Sequence, residues 1–272
     1  MVMFQTISDD LRQSCVVAGN EIRKFVSAKR FWLYMALVAL IVGLMTAIPY
    51  VIGDGISGPS GEIFAEYINY VSLLAVIGVT MFASNTIVSE FEERTALVIF
   101  TRPIRRSSIF VGKLIACYGL VASVMVVYYL ISVLIAFVCG GDLVTSFLPS
   151  LAMTLLFTFA ATGIGMLISS VFRKGGSAAV MTFMVIILLI PVITSVIAAS
   201  GYDIWFMLDN AMSSITTSIP EYVESRNSMA EAMGMPMLGV DPADCLRSGA
   251  VMFAWGLFPL LMSYFLFSKR EF

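Results

Sequence analysis

The residues of this 272-residue sequence best arranged to recognise another molecule lie at positions 90–113, which read EFEERTALVIFTRPIRRSSIFVGK. Three glutamates come first, an apolar run follows at 96–100, and basic residues flank Pro103. Charges of both signs around an apolar patch are typical of protein interfaces. A loop that only fixed membrane orientation would need basic residues alone. The pattern therefore favours a docking element, in which Pro103 ends one short helix and can begin another.

The sequence lacks the residue sets of common enzymes. It contains no histidine, which excludes His-based catalytic triads, His-liganded zinc sites and histidine proton shuttles. Its four cysteines form no CxxC pair. Gly112-Lys113 lacks both the upstream glycine and the following Ser or Thr of a phosphate loop, so ATP hydrolysis would require a partner. We expect no catalytic residue, no resident cofactor or metal, and no nucleic-acid partner.

Sulfur-containing side chains leave two alternatives open. Six methionines lie within 201–247, where flexible apolar packing is favoured over a soft-metal site because no Cys or His cluster accompanies them. Cys139 and Cys245 fall on the same predicted side and could pair, although two packed, unpaired thiols are favoured.

The composition requires a membrane. Hydrophobic residues make up 59% of the chain, charged residues make up 12%, and the mean hydropathy is +0.94. A soluble domain carries about 25% charged residues. A bilayer core takes about 20 helical residues to cross. Six uncharged apolar stretches of that order occur, at 31–52, 67–89, 114–138, 143–172, 177–200 and 248–268. They predict an all-α integral membrane protein with six transmembrane helices, spans 1 to 6, in a single domain covering 1–272.

The basic residues predict the orientation. All of the 16 except Arg226 and Arg247 lie in segments on one side of these spans, and that side is expected to be cytoplasmic. The amino and carboxyl ends and the 90–113 connection would then lie in the cytoplasm. We expect a multi-pass protein of the cell membrane, in contact with lipid.

Two further segments flank the spans. Residues 8–30 predict an interfacial amphipathic helix, with an apolar stripe formed by Leu11, Cys15, Ala18, Ile22, Phe25 and Val26. Residues 201–247 form the only long outer connection, between spans 5 and 6. It predicts a short amphipathic helix around Leu208, a break at Pro220, a polar helix to Met233, and a start of span 6 at Asp241-Pro242.

Small and polar residues within the spans predict helix contacts. Ala161, Gly165 and Ser169 lie four residues apart, with Gly163 alongside, which allows a close approach to span 4. Pro191 is expected to kink or locally open span 5. The asparagines of span 2, Asn69 and Asn85, are expected to bond to neighbouring helices.

The 90–113 segment resembles the cytoplasmic connection of ABC-2 type transporter permeases, in which an acidic EFE-like stretch precedes a turn, an apolar patch, an RPI-like tripeptide and a GK entering span 3. The six spans, the preceding interfacial helix and the enlarged segment before span 6 also match. The glycine common in the acidic turn is absent, because Thr95-Ala96 directly follows Arg94. The resemblance implies an ATPase-coupling role for Glu90, Phe91, Glu92, Glu93, Arg94, Thr95, Arg102, Pro103, Ile104, Arg105, Arg106, Gly112 and Lys113.

The resemblance also implies the partners. A coupling helix within 90–113 would dock on a separate ABC ATPase subunit, which would bind ATP and Mg²⁺, and two permease chains would assemble as a homodimer or a heterodimer. An ATP-driven exporter is the favoured function. The alternatives are a gradient-driven secondary transporter, which usually needs ionisable groups in its spans, and a non-transporting membrane scaffold for an ATPase.

Overall fold

The computed structural model describes residues 2–53, 56, 58–89, 106–234 and 239–269. Its described elements are helices α1 (Val2–Ser27), α2 (Lys29–Ile52), α3 (Ser60–Ile68), α4 (Val71–Thr86), α5 (Arg106–Gly140), α6 (Phe147–Val171), α7 (Gly175–Met184), a π-helical turn (Val185–Leu189), α8 (Ile190–Ala199), α9 (Leu208–Thr217), α10 (Pro220–Ala232) and α11 (Cys245–Lys269). The all-α, six-span prediction is confirmed, because six helices are long and apolar enough to cross a membrane.

The spans extend beyond the uncharged stretches of the sequence. The second runs over Ser60–Thr86 and the third over Ser107–Gly140. Outside the uncharged stretches, these two longer helices also include Glu62, Glu66 and Lys113.

Helix α6 is the centre of the bundle and packs most extensively against α11 and α4. Its small residues make these contacts close. A Cβ added at Gly163 would lie 2.5 Å from the carbonyl oxygen of Gly256 in α11, and one added at Gly165 would lie 3.2 Å from the Cβ of Ala83 in α4. Ala161 is fully buried. Glycine at these crossings lets the helix backbones approach closely, so that the backbones themselves make van der Waals contact.

Helix α1 packs along α5 and is separated from α2 by a break at Ala28. Lys29 and Arg30, predicted to belong to the amino-terminal helix, therefore lie in α2. The side of α1 that faces the bundle buries Ser14 and Ala18, whereas Cys15 and Val26 of the predicted apolar stripe are exposed. The placement of α1 at a membrane surface stays a prediction.

The fifth span changes its helical form where the sequence has Pro191. The π-helical turn ends at Leu189, and Pro191 lies in the first turn of α8. A proline cannot donate a backbone hydrogen bond, and π-helical turns are one way in which a helix absorbs such an interruption.

The connection between α8 and α11 forms two short helices, α9 and α10, on the side of the bundle that we call the acidic side. The amphipathic helix, the break at Pro220 and the polar helix were all predicted; Leu208 and Ile215 are buried. The predicted start of the sixth span at Asp241-Pro242 is wrong, because α11 begins at Cys245. The amide of Ala243 instead donates to the carbonyl of Thr217, which holds this segment against α9.

The asparagines of span 2 do not bond as expected. Asn85 donates from Nδ2 to the carbonyl of Met81, 3.3 Å away in the same helix, and it also lines a cavity of about 510 Å³ with Thr80 and Arg30. Asn69 lies at the break between α3 and α4 and lines a second cleft. Both asparagines therefore lie on the walls of cavities.

Buried hydroxyl groups link the third and fourth spans to α9. The Tyr129 hydroxyl lies 2.9 Å from Ser150 Oγ and 2.6 Å from Thr154 Oγ1. Ser150 in turn donates to the carbonyl of Ile215 at 2.7 Å. Because lipid offers no substitute partner, this network satisfies groups that would otherwise be unpaired.

Replacing Tyr129 with phenylalanine is expected to lower the free energy of unfolding by about 1 kcal/mol, the usual contribution of one such hydrogen bond. Thermal unfolding of the purified chain in detergent measures the change. The matched control is Tyr202→Phe, since Tyr202 is exposed. Equal unfolding temperatures for the two variants would show that the network adds no stability.

Candidate coupling site

Most of the predicted coupling residues lie outside the described residues. These are Glu90, Phe91, Glu92, Glu93, Arg94, Thr95, Arg102, Pro103, Ile104 and Arg105. Arg106 begins α5, and Gly112 and Lys113 lie further along it. The structure thus describes the two ends of the connection, at Ser89 and Arg106, and the side chains packed around them.

Lys113 is the central residue at the base of this connection. Its side chain is only 1% exposed, and its Nζ lies 2.8 Å from Oε1 of Glu21, which is itself 14% exposed. The same Nζ donates to the backbone carbonyl of Thr86 at 3.1 Å. A buried ammonium requires such partners, because desolvation without them costs several kcal/mol.

The Thr86 carbonyl is a favourable acceptor for a cation. Thr86 is the last residue of α4, and the carbonyls at the carboxyl-terminal end of a helix carry the negative end of its dipole. The Thr86 hydroxyl donates to the Phe82 carbonyl at 2.6 Å and lies 2.7 Å from the buried Cys117 Sγ. Lys113 and Cys117 are four residues apart on α5, so both face the end of α4.

Ser169 holds the chain that leaves α4. Its Oγ accepts hydrogen bonds from the backbone amides of Ile87 and Val88, each at 3.1 Å. The carboxyl-terminal part of α6 is therefore attached to the segment that leads into the connection. We call Glu21, Thr86, Lys113, Cys117 and Ser169 the junction.

Helix α1 is pressed against the first turns of α5. A Cβ at Gly112 would lie 2.8 Å from the carbonyl oxygen of Ser14, so only glycine fits at this crossing without a shift. The Phe25 ring of α1 also packs edge-on against Phe82 of α4, with 5.5 Å between centroids. Together with the junction, these contacts bring α1, α4, α5 and α6 together beside the two ends of the connection.

Sequence reasoning included Lys113 and Gly112 among the coupling residues but missed Glu21, Thr86 and Cys117. Glu21 did carry a signal, because it lies three residues after Ala18 and four before Phe25, on the same side of α1. A carboxylate on a side that otherwise packs inward requires a buried cation. Thr86 and Cys117 carried no comparable signal.

Comparison with known protein families covers almost the whole chain. Residues 15–272 match the family model of the ABC-2 family transporter proteins, a match that includes the junction. The chain belongs to the ABC-2 transporter family. It is therefore a permease component, the membrane-spanning part of an ABC transporter.

A curated protein similar to this ABC-2 permease is the uncharacterized membrane protein YdbK of Bacillus subtilis strain 168. The two are 28% identical over 142 residues, which amount to 48% of this chain and 58% of the relative. The matched region thus spans little more than half of the relative's length.

Proposed function

We propose that this ABC-2 permease is driven by a separate ATPase subunit that docks on residues 90–113, and that the complex is an exporter. The observation that carries the proposal is the buried ion pair between Lys113 and Glu21 at the base of that connection. The permease would contribute no residue to ATP hydrolysis, and the partner would bind ATP and Mg²⁺. Docking would use the acidic and basic residues of 90–106.

Movement of the docked connection would be transmitted through the junction. Lys113 joins α5 to α1 and to the end of α4, and Ser169 joins α6 to the residues after α4. Because these contacts are buried and directional, a displacement of the connection would move the four helix ends together. Without such ties the connection could swing while the spans stayed in place.

A second permease chain would complete the assembly. Spans 1 and 5 are the least buried of the six within this chain. Their exposed side chains, among them Leu40, Leu44, Leu188 and Val192, could pack against a second copy or a related chain as well as against lipid. The positive-inside rule supports a plasma-membrane orientation with both termini, the junction and 90–113 in the cytoplasm.

The direct test of docking is charge reversal in the connection. We expect a variant carrying Glu92→Lys, Glu93→Lys, Arg105→Glu and Arg106→Glu to lose a phosphate-loop ATPase that co-purifies with the native chain. Several complementary charge pairs would become repulsive, which costs several kcal/mol of binding free energy. The readouts are the amount of ATPase recovered and the rate at which the purified complex hydrolyses ATP.

The matched control reverses charges on the opposite side of the bundle, with Glu224→Lys and Arg226→Glu in α10. Both residues are exposed. This control should retain the ATPase. Retention of the partner with unchanged hydrolysis by the connection variant would contradict docking, as would labelling that placed a cysteine at position 105 outside the cell.

A further inference from the structure

A lateral cleft of about 670 Å³ lies on the acidic side, between the last turns of α2 and the break in span 2. It is lined by Met45, Ile48, Pro49, Glu66, Asn69 and Tyr70. Its volume is within the range of small-molecule binding sites. One wall is apolar, and the opposite wall presents a carboxylate, an amide and an aromatic ring.

The break between α3 and α4 forms the polar wall. Helix α3 ends at Ile68 and α4 begins at Val71, so Glu66, Asn69 and Tyr70 lie around an interruption of the span. The Tyr67 hydroxyl, 2.9 Å from Thr46 Oγ1, attaches this break to α2. Thr46 lies five residues before the end of span 1 at Val51, about 7 Å along a helix. Glu66 therefore lies beside the apolar end of α2.

Among the described residues, no lysine or arginine nitrogen lies within 4 Å of the Glu66 carboxylate. Arg226 lines an adjoining cleft with Glu62 and Glu66. Within the described part of the chain, however, the only ion pair within 4 Å is Lys113–Glu21. The Glu66 side chain is exposed, so its carboxylate is accessible to a cation that enters the cleft.

The residues that line the cleft favour an organic cation over a metal ion. A divalent metal ion needs about six oxygen ligands, and this cleft offers one carboxylate and one amide. Apolar side chains opposite the carboxylate instead suit a molecule with an apolar body, and the Tyr70 ring, 40% exposed, suits an organic cation. The connections on this side of the sequence-predicted spans hold eleven acidic residues and two basic ones, Arg226 and Arg247, and this excess would also concentrate cations there.

We infer that the cleft binds lipophilic organic cations: molecules with one delocalised or quaternary positive charge and an apolar body. As the substrate class of the transporter, this inference rests on the proposed export function; as a binding site, it stands on the cleft alone. Glu66 would pair with the charge, and Met45, Ile48 and Pro49 would contact the apolar body.

The test is equilibrium binding of tetraphenylphosphonium to the purified full-length chain in detergent, without an ATPase. Tetraphenylborate, of nearly the same shape and opposite charge, is the matched probe. We expect saturable binding of the cation, about tenfold weaker binding by Glu66→Gln, and no saturable binding of the anion. The control variant Glu224→Gln removes an exposed carboxylate from α10 and should bind as the native chain does.

Three results would overturn the inference: no saturable binding of the cation, equal affinity in native and Glu66→Gln chains, or equal binding of both probes. Circular dichroism shows whether the Glu66→Gln chain is still folded. The variant Glu66→Asp keeps the negative charge and should retain more affinity for the cation than Glu66→Gln does. Because no ATPase is present, failure here leaves docking on 90–113 untouched. Loss of docking would likewise leave cation binding unchanged.

Discussion

Replacement of Lys113 with methionine is expected to lower the free energy of unfolding by about 3 kcal/mol, in the range observed when one partner of a buried ion pair is removed. Methionine keeps most of the volume but leaves Glu21 and the Thr86 carbonyl without the ammonium that contacts both. The loss should exceed that of any single hydroxyl deletion elsewhere in the bundle. Thermal or denaturant unfolding of the purified chain measures it.

The double variant Glu21→Met, Lys113→Met separates the ion pair from simple packing. An apolar pair of similar volume can replace a buried ion pair at little cost, so the double variant should regain most of the lost stability. Lys174→Met, which removes an exposed basic residue near the start of α7, is the matched control and should be neutral. A double variant as unstable as Lys113→Met would mean that Glu21 and Lys113 do not act as a pair.

The second large effect is expected at the crossing of α6 and α11. A Cβ in Gly163→Ala would lie 2.5 Å from the Gly256 carbonyl oxygen and 3.3 Å from its Cα, so backbone must move to admit it. Overpacking usually costs about 1–3 kcal/mol. We expect the upper end, about 3 kcal/mol, because the clash is with a helix backbone rather than with a flexible side chain.

The matched control for Gly163→Ala is Gly119→Ala in α5. Nothing lies within 4 Å of a Cβ added there, so the change should be neutral or stabilising by up to about 1 kcal/mol through helix propensity. Unfolding temperature and the monodispersity of the purified chain report both variants. If the two alanine variants unfold alike, the α6–α11 crossing is looser than the structure places it.

The number of spans could be predicted from the sequence because each is a continuous apolar stretch of sufficient length. The residues at which the spans begin and end could not be predicted in this way. The second span begins at Ser60 rather than near Tyr67, since Glu62 and Glu66 continue a helix whose other faces are buried. A rule that ends a span at the first charge therefore missed the carboxylate that lines the cleft.

Local capping signals also competed with tertiary contacts. Asp241-Pro242 is a favourable helix start by itself. The backbone at Ala243 is instead paired with Thr217 of α9, which delays the start of α11 to Cys245. The break at Pro220 was predictable, because the backbone constraint lies in the residue itself and needs no distant partner.

The junction could be predicted only in part. The small residues of α6 were identified by their four-residue spacing, including Ser169, but spacing could not reveal that Ser169 accepts two backbone amides after α4. The Glu21–Lys113 pair joins residues 92 positions apart, and its partner selection depends on how α1 packs on α5. The charge pattern of one segment does not indicate which residue of a distant segment will be its partner.

The measurement that tests the central claim most directly is the distance between α1 and α10 in the assembled complex during the ATP cycle. Spin labels at the exposed native Cys15 and at Glu224→Cys, with Cys139 and Cys245 replaced by serine, report it by pulsed electron paramagnetic resonance. We predict that trapping ATP on the partner shifts this distance in the native background, and that Lys113→Met abolishes the shift while the ATPase stays bound. An unchanged shift in Lys113→Met, or no shift in the native background, would contradict transmission through the junction.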